Sequence, residues 1–532
     1  MSETAEPQPS PTGGQAGRSG PASGDAPILP DLLAAGVRRH PEGVCVVEGE
    51  RSLTFAEVHR RAAQLADALR RFGVKPGDRV AVLAHNELEY LEIGIGVNRA
   101  GAVLLPLNYR LAIAEFQWIV EDASPSLLIH GPGYDKAAAE LGIPTWHLGS
   151  TGFGDPYEDR LADSEPNLAM PVHRSDALAQ VMYTSGTTGR PKGALMTHMN
   201  LWARFNMFAI EMSIKPHHVF VQGLPMFHIA SHTGAAFTYV GASQVVIPTF
   251  EPQSVLDAIS THRATHLLLV PTMMNMLANN PATAEADLSS LELLQYGASP
   301  ISPDVVVKVM AAFGCDLMQF YGMTETSGTC MLRPELHDPV NHPELLASAG
   351  SDSVSYETRV VDEDDNDVPP RVVGEIISRS PGNILGYWNN PEATDAALRG
   401  GWMHTGDLGY FDEGGHLFVA DRLKDMIVSG GENVYPREVE DVIYGHPDVF
   451  EVAVIGIPDD KWGERVHAVV SAMPGTDPSP DSIIAHCRTR LAGYKVPKTV
   501  SVVPELPKNP TGKILKRELR REGELARGVD LG

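Results

Sequence analysis

Tyr183-Thr184-Ser185-Gly186-Thr187-Thr188-Gly189-Arg190-Pro191-Lys192-Gly193 follows an apolar run at 178–182 that reads as a buried strand. Its hydroxyls, glycines and cations therefore fall in a loop at a strand end. Gly186, Gly189 and Gly193 let backbone N–H groups approach an anion, Thr184, Ser185, Thr187 and Thr188 offer hydroxyl donors, and Arg190 and Lys192 bring positive charge. The P-loop pattern fails here. Counted from Gly186, its second glycine falls on Pro191, and Lys192 is followed by Gly193 where Ser or Thr is required. A plain Gly/Ser/Thr turn would share this composition, so the phosphate reading needs support from the rest of the chain.

Upstream, Thr54-Phe55-Ala56-Glu57 has the form of a capping box, and Phe55, Val58, Leu65, Leu69 and Phe72 share one helical face that stops at Gly73. Strand-like residues 80–84, helix-like 87–100, strand-like 103–107, helix-like 113–123 and strand-like 126–129 follow. That alternation predicts an α/β fold with a parallel sheet between helices. Gly94, Gly96 and Gly101 lack the GxGxxG spacing and sit in a helical pattern, which predicts close helix packing. Residues 151–171 read as a loop. The acidic run 362–367 lies between two strand-like stretches and lacks the glycine and glutamate of a calcium loop where Asp367 and Val373 stand, so it reads as a solvated turn.

At 532 residues the chain exceeds one compact core, so two or more domains are expected. A net charge of −25 argues against a general nucleic-acid binder. Cys45, Cys315, Cys330 and Cys487 are too scattered for a disulfide scaffold or a CxxC metal site and fit a reducing cytoplasm. Residues 1–27, dominated by Pro, Gly, Ser, Ala and Gln, read as a disordered tail without the apolar segment of a signal peptide. No window reaches the ~18 uninterrupted apolar residues of a membrane span.

Downstream, Gln319-Phe320-Tyr321-Gly322-Met323-Thr324-Glu325 joins aromatics, a flexible glycine, a hydroxyl and a carboxylate. Gly297-Ala298-Ser299 ends a strand-like run with small side chains that permit close approach. Asp407, in Thr405-Gly406-Asp407, and Arg422 supply a carboxylate and a guanidinium, while Lys424 and Ser429-Gly430-Gly431-Glu432 follow within ten residues of Arg422. Alone, the Thr-Gly-Asp and Gly-Gly pieces read as turns. Between 486 and 521 stand ten Lys/Arg (Arg488, Arg490, Lys495, Lys498, Lys508, Lys513, Lys516, Arg517, Arg520, Arg521) against Glu505 and Glu518, a local anion site or a solvated basic face. His228 and His232, four apart, have a spacing that suits zinc on a helix, but no Glu adjoins His228 and no third ligand is evident.

Taken in order over residues 28–521, these stretches resemble the adenylate-forming superfamily of acyl-CoA synthetases, aryl-CoA ligases, luciferases and peptide-synthetase adenylation domains, most of all its fatty-acid–CoA ligases. The resemblance implies a large N-terminal domain of helix-flanked sheets (28–420), a hinge (421–424) and a smaller mobile α+β C-terminal domain (425–532). It implies Mg-ATP and CoA as reactants, an acyl-adenylate intermediate and release of pyrophosphate. Residues 184–189 and Lys192 would hold the phosphates, and Thr184 and Glu325 the Mg²⁺. Gln319, Tyr321, Gly322, Met323 and Thr324 would hold adenine and the α-phosphate, and Asp407 and Arg422 the ribose hydroxyls. Gly297, Ala298 and Ser299 would pass between nucleotide and acid. Lys424 would be the hinge residue, Gly430, Gly431 and Glu432 would line the pantetheine tunnel, and Lys513 would reach the reacting carboxylate. His228 would wall or gate the acid pocket.

Peptide-synthetase domains place Asp after the phenylalanine that corresponds to Phe227; His228 stands here, which argues against an amino-acid substrate. Gly234, Ala235 and Ala236 with Phe237 and Tyr239 suggest an apolar pocket and so a fatty or aromatic acid. An acyl-AMP ligase, a luciferase-like oxidative enzyme or a nitrite-activating diazotase acting on an aromatic amine would share every motif. The acceptor is therefore left open among CoA, a carrier-protein thiol and an amine. No nucleic-acid partner or transmembrane segment is expected, and a homodimer is admitted.

Overall fold

The computed structural model describes residues 26–184, 191–299, 301–422, 425–429, 432–459, 462–508 and 514–521. Apart from residues 26 and 27, the expected tail lies outside them. In an eight-stranded sheet, strand Arg79–Leu83 runs parallel to Val103–Pro106 on one side and to Leu127–His130 on the other. Leu178–Thr184 adds parallel beside Val103–Pro106, and Lys192–Thr197 returns antiparallel. Alternation of side chains explains the two covering layers. Val80 and Val82 pack with helices Phe55–Phe72 and Glu89–Arg99, whereas Ala81 and Leu83 pack with helix Ile113–Ala123.

The first helix is set by its ends. Glu57 N–H donates to Thr54 Oγ1 at 3.2 Å while the Glu57 carboxylate accepts the Thr54 N–H at 2.8 Å, and Gly73 closes the helix at φ 106°. Phe55, Val58, Leu65 and Leu69 are fully buried on one face, as the periodicity predicts, whereas Phe72, expected with them, is 37% exposed at the helix end. Gly96 lies against that face: a Cβ there would come within 2.7 Å of Leu65 Cδ2. The expected loop at 151–171 is corrected, because helix Tyr157–Ala162 forms within it, buries Tyr157 and Leu161, and places the Tyr157 hydroxyl 2.9 Å from Glu92.

A nine-stranded sheet carries the parallel strands Val219–Gln222, Ser243–Val246, His266–Leu269, Leu293–Gly297 and Asp316–Tyr321. A four-stranded antiparallel sheet contains Glu357–Val361, Gly374–Arg379, Met403–Phe411 and Leu417–Arg422. The acidic run joins the first two of these as a turn, with the Asp362 carboxylate accepting the N–H groups of Asp364 and Asn366. A separate five-stranded sheet begins at Ile427–Ser429 and is packed with helices Pro436–Tyr444 and Pro480–Arg488. The result is a large α/β N-terminal part and a smaller α+β C-terminal part, with the change of sheet between Arg422 and Ile427.

Candidate functional site

Thr184 ends one strand and Lys192 starts the next, antiparallel and directly opposite it in the register. Ser185, Gly186, Thr187, Thr188, Gly189 and Arg190 lie outside the described residues. Thr184 Oγ1 lies 3.5 Å from the Lys192 carbonyl. The short strand Gly386–Tyr387 pairs with the far side of Lys192–Thr197, and Lys192 Nζ sits 5.2 Å from the centre of the Tyr387 ring. From that ring the hydroxyl donates to Glu325 Oε1 at 2.9 Å. Tyr387 thus joins the hairpin cation to the carboxylate that the motif predicts for the metal. Burial and the Glu325 charge both push the Tyr387 hydroxyl pKa upward, so it stays a donor.

Glu325 sits in a turn that only one residue type permits at its start. A Cβ on Gly322 would lie 1.4 Å from the Ser327 carbonyl oxygen. The Met323 carbonyl accepts from Ser327 N–H at 2.7 Å and Thr326 N–H at 3.1 Å. Beneath it, fully buried Arg204 donates to the Gly382 carbonyl at 2.7 Å and to the Thr324 and Glu325 carbonyls at 3.1 Å each. The Tyr356 hydroxyl donates to Thr326 O at 2.5 Å. Burial lowers the Arg204 guanidinium pKa, and Tyr356 and Glu325 oppose that shift. Sequence reading missed Arg204 and Tyr387. A signal existed for the first, a lone cation among Leu201, Phe205, Met207 and Phe208 in helix His198–Glu211.

Tyr321, at the end of its strand, donates from its hydroxyl to Asp407 Oδ2 at 2.9 Å. Burial and the Asp407 charge hold that phenol well above its usual pKa. Asp407 faces Arg422 across the antiparallel strand pair, so two residues fifteen apart in sequence share one register position. Gly297 pairs with Phe320, and a Cβ there would meet the Phe320 carbonyl at 2.3 Å. Ala298 follows with φ 69°, turning the chain sharply toward Ser299. Gln319 is buried beside Phe320, with its Oε1 unpartnered among the described residues.

In the C-terminal part Glu432 pairs with Ser429 across a tight antiparallel ladder. Lys508 and Ile514 bridge the ends of the segment that holds Lys513. Lys424, Gly430, Gly431 and Lys513 lie outside the described residues. The basic run is partly internal: Lys495 pairs with Glu438 at 2.6 Å, Lys508 with Glu451 at 2.8 Å, Lys516 with Glu440 at 2.7 Å and Arg520 with Asp425 at 2.9 Å. Those four cations brace the small domain, which narrows the expected anion site.

His228 precedes helix Ala230–Val240, and burial lowers its pKa to about 4, keeping the imidazole neutral. His232 Nε2 contacts Gln180 Oε1 at 2.9 Å, on the strand that leads to Thr184. Ala236 and Phe237 are buried in the core with Phe220, so Ser231, Ala235 and Tyr239 are the residues of this helix that join His232 on a cavity.

Residues 33–388 match the model of the AMP-binding enzyme family and residues 438–513 that of the AMP-binding enzyme C-terminal domain. The chain is 40% identical to a feruloyl-CoA synthase of an Amycolatopsis species over 91% of its length and 96% of that protein. It is 37% identical to the long-chain-fatty-acid–CoA ligase FadD13 of Mycobacterium tuberculosis over 88% of this chain and 93% of the other. ATP-bound MatB from Rhodopseudomonas palustris superposes with a TM-score of 0.85 at 31% identity, covering 93% of this chain and 99% of that one. Matches of this extent in both sequence and fold place the protein: the chain belongs to the AMP-binding enzyme family and is an adenylate-forming enzyme.

Proposed function

We propose that the protein activates a fatty or aromatic carboxylic acid with Mg-ATP to an acyl-adenylate and pyrophosphate, then transfers the acyl group to CoA. The observation that carries this reading is the Tyr387 bridge between Lys192 and Glu325, which gathers a cation, a hydroxyl and a carboxylate at the mouth of the Thr184–Lys192 hairpin. Thr184 and the hairpin donate to the triphosphate, Tyr321 lies against adenine, and Asp407 accepts from the ribose. Glu325 and Thr184 offer hard oxygens, the donor set Mg²⁺ prefers, and the bound ion would neutralise phosphate charge. Lys513 supplies the cation as charge builds at the reacting carboxylate and α-phosphate. Likeness to both an aromatic-acid and a fatty-acid CoA ligase supports the acid classes and the acceptor. A hinge at 421–424 fits the change of sheet after Arg422. The four cysteines, all free thiols, support a cytoplasmic setting.

Such catalysis needs positioning and charge neutralisation more than an acid–base triad. The test is the nucleotide product formed with hexanoate, dodecanoate and ferulate, with and without CoA. AMP and pyrophosphate are expected with an acyl-CoA when CoA is present; ADP as the main product overturns the reading. Glu325→Gln should raise the Mg²⁺ concentration needed for half-maximal rate about tenfold or more while retaining the melt, because the amide oxygen still accepts from Tyr387.

A further inference from the structure

Strand Met403–Phe411 falls out of step with strand Gly374–Arg379 where Thr405-Gly406-Asp407 stands. Glu375 lies opposite Leu408 and Ile377 opposite His404, so Ile376 alone faces the three residues 405–407. The regular ladder is lost there, and Gly406 takes φ 69°, in the left-handed region that favours glycine. Such a bulge re-aims the side chain it carries. Here that side chain is Asp407, 7% exposed, whose Oδ2 accepts from the Tyr321 hydroxyl at 2.9 Å.

Side chains replace the missing ladder. The Glu375 carboxylate accepts the Gly406 N–H through Oε1 at 3.1 Å and the His404 Nδ1–H through Oε2 at 2.9 Å, so one acid spans the bulge from its flank to its apex. Thr405 Oγ1 donates to the Ile376 carbonyl at 2.6 Å and accepts the Asp407 N–H at 3.1 Å. The N–H groups of Gly406 and Asp407 thus end on side-chain oxygens rather than on the neighbouring strand. Arg399 Nη2 stands 3.5 Å from Glu375 Oε2 and 3.2 Å from Asp365 Oδ1, which leaves the bulge tied into a wider set of charges on its outer side.

We propose that Glu375 and Thr405 are positioning residues for nucleotide selection: they hold the 405–407 bulge so that Asp407 meets the ribose hydroxyls, and they act through Asp407 rather than on the nucleotide. This rests on the reading of Asp407 as the ribose carboxylate. Loosening the bulge displaces that one carboxylate, so the hydroxyl contact weakens while adenine and phosphates keep theirs.

The test is binding of ATP and of 2′,3′-dideoxy-ATP to the full-length protein by titration calorimetry, with no acid present. The unaltered protein is expected to bind ATP about tenfold or more tightly than the dideoxy analogue. Glu375→Met keeps the side-chain length and withdraws both acceptor oxygens. ATP affinity should then fall about tenfold while dideoxy-ATP affinity holds, bringing the ratio toward one. Glu375→Gln restores an acceptor for Gly406, and its amide donates to His404 Nδ1 in the other tautomer, so the ratio should return. Thr405→Val removes the second tie, should lower the ratio as well, and carries the test where Glu375→Met does not fold. Equal loss of both nucleotides marks a general structural role and overturns the inference. So does an unchanged ratio in the folded Met or Val variant, or a Gln variant as poor as Met. Asp407→Asn tells the two readings apart: a ratio near one there beside intact ratios in the other variants defeats the positioning role alone, whereas an undiminished ratio in Asp407→Asn defeats the ribose assignment and the inference together.

Discussion

Arg204 Nη2 donates to the carbonyls of both Thr324 and Glu325, at 3.1 Å each, from a side chain with no exposure to solvent. One buried guanidinium therefore sets the backbone of the turn that carries the proposed metal carboxylate. Arg204→Met roughly keeps the volume but leaves the Gly382 and Thr324 carbonyls without their donor, while the Glu325 carbonyl keeps the Ile384 N–H at 2.9 Å, and should cost about 2–4 kcal/mol of stability. It should also raise the KM for Mg-ATP in the protein that remains folded. Thermal melts and ATP saturation curves check both; a normal KM would show that the turn holds itself.

The Tyr321 hydroxyl donates to Asp407, and Arg422 stands opposite Asp407 in the register of the neighbouring strand. Asp407→Asn preserves the shape and removes the charge proposed to accept the ribose hydroxyls. The KM for ATP should rise about tenfold, and the preference for ATP over its deoxyribose analogues should shrink toward one. Unchanged discrimination between these nucleotides would place the ribose elsewhere.

Lys513 and Lys424 should separate the two half-reactions. Lys513→Ala removes the cation proposed to balance charge building at the α-phosphate, and should cost on the order of 3 kcal/mol or about a hundredfold in rate. Transfer from supplied acyl-adenylate to CoA should survive it. Lys424→Pro fixes φ at the hinge and should leave adenylation while blocking transfer. Measuring pyrophosphate release and thioester formation separately decides the matter; parallel loss of both steps in both variants would refute alternation.

Acid should destabilise the fold through its buried imidazoles. Burial lowers His228 to about 4, His198 to about 3 and His266 to about 3. From about pH 6.5 downward the unfolded chain binds protons that the native chain does not, so stability falls as pH drops toward 4 and rises as pH returns. His228→Gln should flatten the slope of apparent melting temperature between pH 4 and 6.5. A slope unchanged in that variant would assign the acid sensitivity to the other lowered imidazoles, His337 and His467 among them.

Local signals were the readable ones. Thr54, Glu57 and Gly73 mark a helix by its ends, and the apolar run 178–182 marks the strand that ends at Thr184. Tyr157 and Leu161 were hidden because their short helix gains its stability from burial against distant helices rather than from its own pattern. Arg204 was missed for a related reason: its partners lie 120 and more residues away, and a cation in an apolar helix reads as a surface residue until those carbonyls are in place. The cavity was equally hidden, since Leu29, Tyr90 and Trp202 meet only after both large sheets have formed.

The passage from one sheet to the next at Arg422 also limits how the small domain travels. Five peptide links join Arg422 to Ile427, a tether that reaches no more than about 18 Å when fully drawn out. Ile427 is confined to a sphere of that radius about Arg422. If the small domain alternates as proposed, gross departure and recapture are excluded and pivoting is the economical way to exchange one of its faces for another. Each face would then stay at high effective concentration, so the small domain would compete with itself for one seat instead of searching solution for it.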